Sequence, residues 1–417
     1  MENTLKCRNC GAELKPNWKI CPECETPVGL PKCKNCGMEL KEHWKACPEC
    51  GTPVGDKKAV EAQESDKKAI SSTPIEASDN DRICEDLKKK LEEEYIGNIE
   101  GAIREVNKWI KKYPSNFLLL LIRAELFEEN EEYQYAIQDY TELLRSKLFL
   151  ETAIAEDYAY VYMQRGCVYN EIEEYDKAVA DMNEAIRLDP NNAEYFFKRG
   201  DLCNDYNAKL SDFSRAIELD SGNANYLLRR GILLFHSEEF DKAICDFTNA
   251  VKLDLNNFNA YNWRGDAYRK QRHYDRAITD YTKLIEIDAS FTFPFYLRGQ
   301  CYEETGNPDA ALSEYSKAIE HDSNYATPLS ARGILYFKLG KYATALEDFT
   351  KAIVVHGERL EKGTREVDDE GLADCYYWRG STYTWLDKFD KAKVDFKEAV
   401  RLAPDNEEYR KALEKIK

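Results

Sequence analysis

Histidine and methionine are scarce, with five and four in 417 residues. None of the histidines stands in a recognisable motif, no glycine-rich loop is arranged to cradle a phosphate, and no nucleophile is matched with a base. An enzyme is therefore not expected. Long apolar runs are missing as well. A membrane-spanning helix needs roughly 18 consecutive apolar residues, and FLLLLI at 117–122 falls far short. The opening MENTLKCRNC has no apolar run behind a basic one, so no secretory leader is expected and the location expected is cytoplasmic. Excess positive charge is the third absence: 59 Lys and Arg stand against 77 Asp and Glu, net −18. Residues 1–55 hold eight basic and seven acidic groups, residues 56–81 four and seven, and residues 82–417 the remaining 47 and 63. A body that acidic repels a polyanion at close range, which argues against nucleic acid lying along it. What is abundant is aromatic: 27 Tyr and 17 Phe in a chain 43% hydrophobic, enough to bury a large core.

Cysteine is plentiful and unevenly placed. Eight of the fourteen fall in CRNCGAELKPNWKICPEC (7–24) and CKNCGMELKEHWKACPEC (33–50); the other six are scattered singly, as suits free thiols in a reducing compartment. Each unit reads C-x2-C, ten residues, C-x2-C. Two such knuckles bring four thiolates to tetrahedral corners, the geometry Zn²⁺ accepts. Iron suits the CPEC spacing too, but the short loop and the doubling favour zinc. Ten residues cannot build a core, so the metal must do the folding, at roughly 10–16 kcal/mol per structural site. Residues 7–29 and 33–55 match at 17 of 23 positions, including Trp18 with Trp44. His43 faces Asn17 at the equivalent place, so the thiolates alone close each site and leave no open position for catalysis. The pattern resembles the bacterial double zinc ribbon. Two structural Zn²⁺ are expected, one on Cys7, Cys10, Cys21 and Cys24, the other on Cys33, Cys36, Cys47 and Cys50. The units are taken as zinc ribbon 1 (1–29) and zinc ribbon 2 (30–55).

Residues 56–81 contain no aromatic residue and repeat the phrase DKKA; they read as a flexible linker with a span of about 30 Å. From there a different rule applies. QRGCVYNEIEEYDKAVADMNEAIRLDP (164–190), WRGDAYRKQRHYDRAITDYTKLIEID (263–288), ARGILYFKLGKYATALEDFTKAI (331–353) and WRGSTYTWLDKFDKAKVDFKEAVRLAP (378–404) are one sentence varied, and Gly231, Gly265, Gly299 and Gly333 stand 34 apart. This resembles the tetratricopeptide repeat (TPR), which implies an all-α fold: a right-handed α-solenoid of helix-turn-helix repeats. Counting back from the alanine that recurs in each second helix gives about nine repeats in residues 82–417, closed by an amphipathic capping helix after Pro404. The fourth is three residues short, and extra residues interrupt the period near 151–158 and within 354–372. An Arg precedes the glycine slot in eight repeats, with an acid usually sixteen residues later. That pairing reads as an internal ion pair in preference to a ladder of arginines gripping a ligand.

First helices line the concave face of such a solenoid, which takes a peptide or partner helix. The chain lacks the Lys-then-Asn pair with which some family members clamp a chaperone's terminal carboxylate; those slots hold Leu121 and Glu125, Met163 and Cys167, Phe197 and Asp201. Aromatics run where the later groove should lie, and Trp263, Phe293, Tyr296, Tyr377, Trp378 and Trp385 are the candidate anchors for a hydrophobic segment. The expected function is a non-enzymatic scaffold that binds protein partners, the ribbons adding a second contact or stabilising the amino terminus. Neither a small-molecule substrate nor a membrane is expected. The competing reading is a nucleic-acid-associated protein whose ribbons touch DNA or RNA, with Lys6, Arg8, Lys15, Lys19, Lys32, Lys34, Lys41 and Lys45 on phosphate, although glutamates interleave them.

Overall fold

The structure is a computed structural model that describes residues 5–6, 13–14, 77–114, 116–146, 154–361 and 369–416. The eight cysteines expected to hold metal, and the expected linker up to residue 76, lie outside the described residues. The chain divides into two compact units, Met1–Glu76 and Ala77–Lys417. In the first, strands β1 (Leu5–Lys6) and β2 (Glu13–Leu14) pair antiparallel, Leu5 opposite Leu14 and Lys6 opposite Glu13. In sequence they bracket Cys7 and Cys10.

The second unit is an α-solenoid, with nineteen helices among the described residues. In order they are α1 (Ala77–Glu94), α2 (Ile99–Lys112), α3 (Leu118–Glu129), α4 (Tyr133–Arg145), α5 (Ala155–Glu171), α6 (Tyr175–Leu188), α7 (Ala193–Leu202), α8 (Tyr206–Leu219), α9 (Ala224–His236) and α10 (Phe240–Leu253). They continue as α11 (Phe258–Lys270), α12 (Tyr274–Ile287), α13 (Phe293–Glu304), α14 (Pro308–His321), α15 (Ala326–Lys338), α16 (Tyr342–Glu361), α17 (Asp369–Trp385), α18 (Phe389–Leu402) and α19 (Glu407–Lys415). Odd and even helices from α1 to α18 pair as nine repeats, and α19 follows as the cap. Helix α1 begins five residues inside the stretch read as tether, with Asp79 and Asp81 in its opening turns, where the helix dipole favours negative charge.

Local chemistry sets each boundary. Asn192, Asn223 and Asn257 start α7, α9 and α11, each side-chain oxygen accepting a hydrogen bond from a backbone N–H of the first turn. Second helices end where Asp189, Asp220, Asp254, Asp288 and Asp322 leave the helical region. Between the two helices of every repeat but the fourth the chain turns through one residue at positive φ: Glu131, Glu173, Glu238, Arg272, Asp387, or a glycine (Gly97, Gly306, Gly340).

Close packing explains the small residues. Ala136, Ala178, Ala243, Ala277, Ala311, Ala345 and Ala392 are wholly buried. A Cβ on Gly231, Gly299 or Gly333 would lie within 2.8 Å of the ring of Phe247, Tyr315 or Phe349 on the partner helix. No side chain fits there, so the glycine's cost of about 1 kcal/mol in helix propensity is offset by contact with the ring. The extra residues near 151–158 and 354–372 lengthen helices: α5 has 17 residues, α16 has 20 and α17 has 17. The short fourth repeat loses its residues from the first helix, leaving α7 with ten.

Candidate docking groove

The arginine ladder is internal. Arg264 donates from Nε and Nη2 to the two carboxylate oxygens of Asp280 at 2.9 and 2.6 Å, tying α11 to α12. Arg123, Arg165, Arg230, Arg332 and Arg379 grip Asp139, Asp181, Asp246, Asp348 and Asp395 in the same two-pronged way. Arg298 places both prongs on one oxygen of Glu314. In the shortened fourth repeat Arg199 reaches Asp212, thirteen residues on, at 2.9 and 2.6 Å. Each guanidinium extends a third arm. Nη1 donates backward to the preceding repeat's second helix: to Asn107, Thr141, Asn183, Ser214, Thr248, Thr282, Ser316 or Thr350. The first repeat has no such Arg. There Glu105, in the acid's register position, accepts from Lys90, Lys108 and Trp109. Those bonds, Lys108 first, hold its carboxyl down at about 2.

With the arginines occupied, the concave face belongs to other positions of the first helices. Counted from the ladder Arg, the second and fifth residues onward carry the polar groups. Where the second helix offers Tyr, its hydroxyl reaches through to an acid there: Tyr140 to Glu128, Tyr315 to Glu303 at 3.0 Å, and Tyr281 to Asp266 at 2.8 Å. Burial, then the adjacent carboxylate, drives these phenols above their ordinary range. Tyr160, whose hydroxyl donates to Glu125, is pushed up to about 12 by burial and that acid. Burial also raises the Glu128 carboxyl.

Towards the carboxyl end the face opens into a cavity of about 680 Å³, spanning repeats six to nine. Arg269, Tyr296, Gln300 and Glu303 line one side; Ser330, Ala331, Ile334, Asp374 and Trp378 line the other. A volume of that size is in the range of ligand sites. A second cavity of about 630 Å³ lies under α19, bordered by Tyr377, Trp385, Phe396 and Ile416.

The aromatic candidates separate into three groups. Tyr296 and Trp378 border the larger cavity and Tyr377 and Trp385 the smaller. Trp385 is 65% exposed and stacks on Tyr342, while Tyr377 packs on Tyr409 and donates to Glu408. Trp263 is set edge-on against Phe235 and His236, and Phe293 joins Phe258 and Phe291, both within the packing between repeats. Arg269, Glu303 and Lys338 were not singled out from sequence. The only signal for Glu303 is the Tyr that replaces Phe on the facing helix. Among the described residues no group of three or more His, Cys, Asp or Glu is placed to hold a metal ion, and no helix is long and apolar enough to cross a membrane.

Helix pairs stacked around a continuous concave face define an α-solenoid, a fold used as a scaffold for protein interactions. The double zinc ribbon model matches residues 7–51. Tetratricopeptide repeat models match residues 166–203, 258–291, 295–325 and 373–406. The chain is a tetratricopeptide repeat protein with an amino-terminal double zinc ribbon. Among solved structures it is similar to a tetratricopeptide repeat protein from Parabacteroides merdae, at 20% identity over 62% of this chain and 98% of that one, TM-score 0.44. The carboxy-terminal part of a TPR repeat-containing protein from Cytophaga hutchinsonii is 21% identical over 70% of this chain and 98% of that one, TM-score 0.42. YrrB, described as a TPR protein with an unusual peptide-binding site, is 23% identical over 48% and 97%, TM-score 0.37. No curated protein matches.

Proposed function

We propose that the protein is a non-enzymatic adaptor that holds an extended segment of a protein partner along the concave face of residues 82–417. The observation that carries this reading is the third arm of the arginine ladder. Eight guanidiniums that would otherwise dominate the face as anion sites are each spent on an acid of their own repeat and a polar group of the repeat before. What is left facing the groove is a row of aromatic, amide, hydroxyl and charged groups of both signs, suited to side chains of a peptide.

The ribbons, residues 1–29 and 30–55, form the second interaction module, carried on the segment 56–81. The donor set of four thiolates in each unit fits Zn²⁺, so Cys7, Cys10, Cys21 and Cys24 would hold one ion and Cys33, Cys36, Cys47 and Cys50 the other. Closed thiolate sites of this kind fold their surroundings and offer no coordination position for a substrate. The expected location is the cytoplasm, where free thiols such as Cys84, Cys301 and Cys375 stay reduced.

The test uses the full chain. Elemental analysis should find about two Zn²⁺ per chain and no visible absorbance, and Cys10→Ser with Cys36→Ser should lower the zinc content; a red, iron-bearing sample overturns the metal assignment. Partners captured on the full chain and on that double variant are then identified. Loss of a defined subset on the variant supports a second contact at the ribbons, an unchanged set removes it, and steeply salt-dependent binding of single- or double-stranded nucleic acid replaces it with the competing reading.

A further inference from the structure

The cavity of about 680 Å³ has a local cause. At the two positions before the ladder Arg, neighbouring repeats place large side chains: Tyr296 and Leu297 before Arg298, Tyr377 and Trp378 before Arg379. Before Arg332 stand Ser330 and Ala331. The missing bulk leaves a hollow between α13 and α17. Its far end is closed by His356, in the extension of α16, and Gly371, in the added first turn of α17. Small residues in one repeat and lengthened helices around them thus create a depression at this point of the face.

Glu303, Lys338 and Arg269 around it have partners of opposite charge, Glu304 and Asp374 have tyrosine donors, and Arg272 also lines the wall. Glu303 accepts from Lys338 at 2.7 Å and from Tyr315 at 3.0 Å. Glu304 accepts from Tyr274, Asp374 accepts from Tyr409, and Arg269 donates to Asp266. The body of a side chain entering here meets Tyr296, Ala331, Ile334 and Trp378, with Gln300, Ser330 and Thr327 for a polar tip. Farther along the face, towards the amino end, the same register positions hold acids: Glu125 and Glu128, with Tyr160 and Tyr140 as their hydrogen-bond donors.

From this we infer that the hollow beside Ala331 is the anchor pocket for one bulky aromatic side chain of a partner segment whose flank, on the side facing repeats two to four, is basic. The inference rests on the reading that the groove binds peptides and specifies the peptide. An aromatic ring buries 150–250 Å² at little entropic cost and is the residue type that most often anchors an interface. Lys or Arg on the flank complements Glu125 and Glu128 and raises the rate of encounter.

The test is selection of a random 16-residue phage-displayed peptide library on the immobilised full chain, followed by affinity measurement with a synthetic peptide of the enriched sequence. The expected result is a sequence carrying a Trp, Tyr or Phe with Lys or Arg to one side. Affinity should fall roughly tenfold or more when that aromatic is replaced by Ala, or when the pocket is filled by Ala331→Phe. Thr327→Trp fills it from the exposed rim, where folding is least at risk, and should act in the same direction with an unchanged thermal melt. An enriched sequence without an aromatic, or one that binds the folded Thr327→Trp chain as tightly as the parent, overturns the anchor pocket and leaves the groove standing. Absence of any enriched peptide overturns both.

Discussion

Arg264 and Asp280 show what a ladder rung is worth. Their side chains are 14% and 4% exposed, and burial raises the Asp280 carboxyl despite the two bonds it accepts. Removing one partner of such a pair strands a buried charge, at a typical cost of about 3–5 kcal/mol, whereas replacing both with apolar groups can be nearly neutral. Urea unfolding should therefore show a large loss for Arg264→Ala and a much smaller one for Arg264→Met with Asp280→Leu. The single variant should also regain stability as the pH falls, because protonation removes the stranded charge; a variant equally weak at all pH values would contradict the assignment. Glu105 makes the opposite case. Its carboxyl is held at about 2, against 4.5 for an unperturbed Glu, so the folded state favours the ionised form. That contribution is complete above about 4.5 and fades as the pH falls towards 2. Melts of the parent and Glu105→Gln should differ at pH 6 and converge near pH 2. The ladder's acids were legible in sequence because one residue type recurs at a near-constant spacing. The third arm was not: its acceptor is Asn, Ser or Thr without preference, and the separation changes from 16 to 24 or 29 where extra residues intervene.

At the scale of helices and turns, glycine, alanine and Pro404 marked the repeats because each answers a hard steric demand. The turns between paired helices obey a softer rule. Glu131, Glu173, Glu238, Arg272 and Asp387 adopt φ between 55° and 62°, a region that costs an L-residue about 1–2 kcal/mol and glycine far less. Glu238→Gly should thus raise the urea midpoint, by up to about 1 kcal/mol after glycine's greater loss of freedom; no change, or a loss, would show that Glu238 contributes more than its backbone. Tyr140, Tyr281 and Tyr315 escaped notice in sequence because Tyr and Phe read alike as packing aromatics. The hollow beside Ala331 escaped for a different reason. It arises from side chains that are small, and from helix extensions that a 34-residue period can register only as interruptions.

At the scale of the whole chain, nine repeats and a cap were readable from periodicity, while the two compact units answer to different forces. Residues 77–417 are held by apolar burial between neighbours. On the reading proposed above, the paired cysteines at 7–50 fold on a metal. Chelation should therefore leave the far-ultraviolet helical signal and its melt almost unchanged while releasing the zinc. A collapse of helicity on chelation would show that the solenoid depends on the ions.

The ten-residue helix α7 has a mechanical meaning. In a row where every repeat grips only its neighbours, tensile strength at each joint scales with the length of helix engaged there, and α7 is the shortest of the eighteen paired helices. Stretched between its ends in an optical trap, the protein should yield first near residues 193–219 and separate into two shorter springs. A first rupture elsewhere would mean that Arg199, by keeping its hold on Asp212, fully reinforces the thin coil.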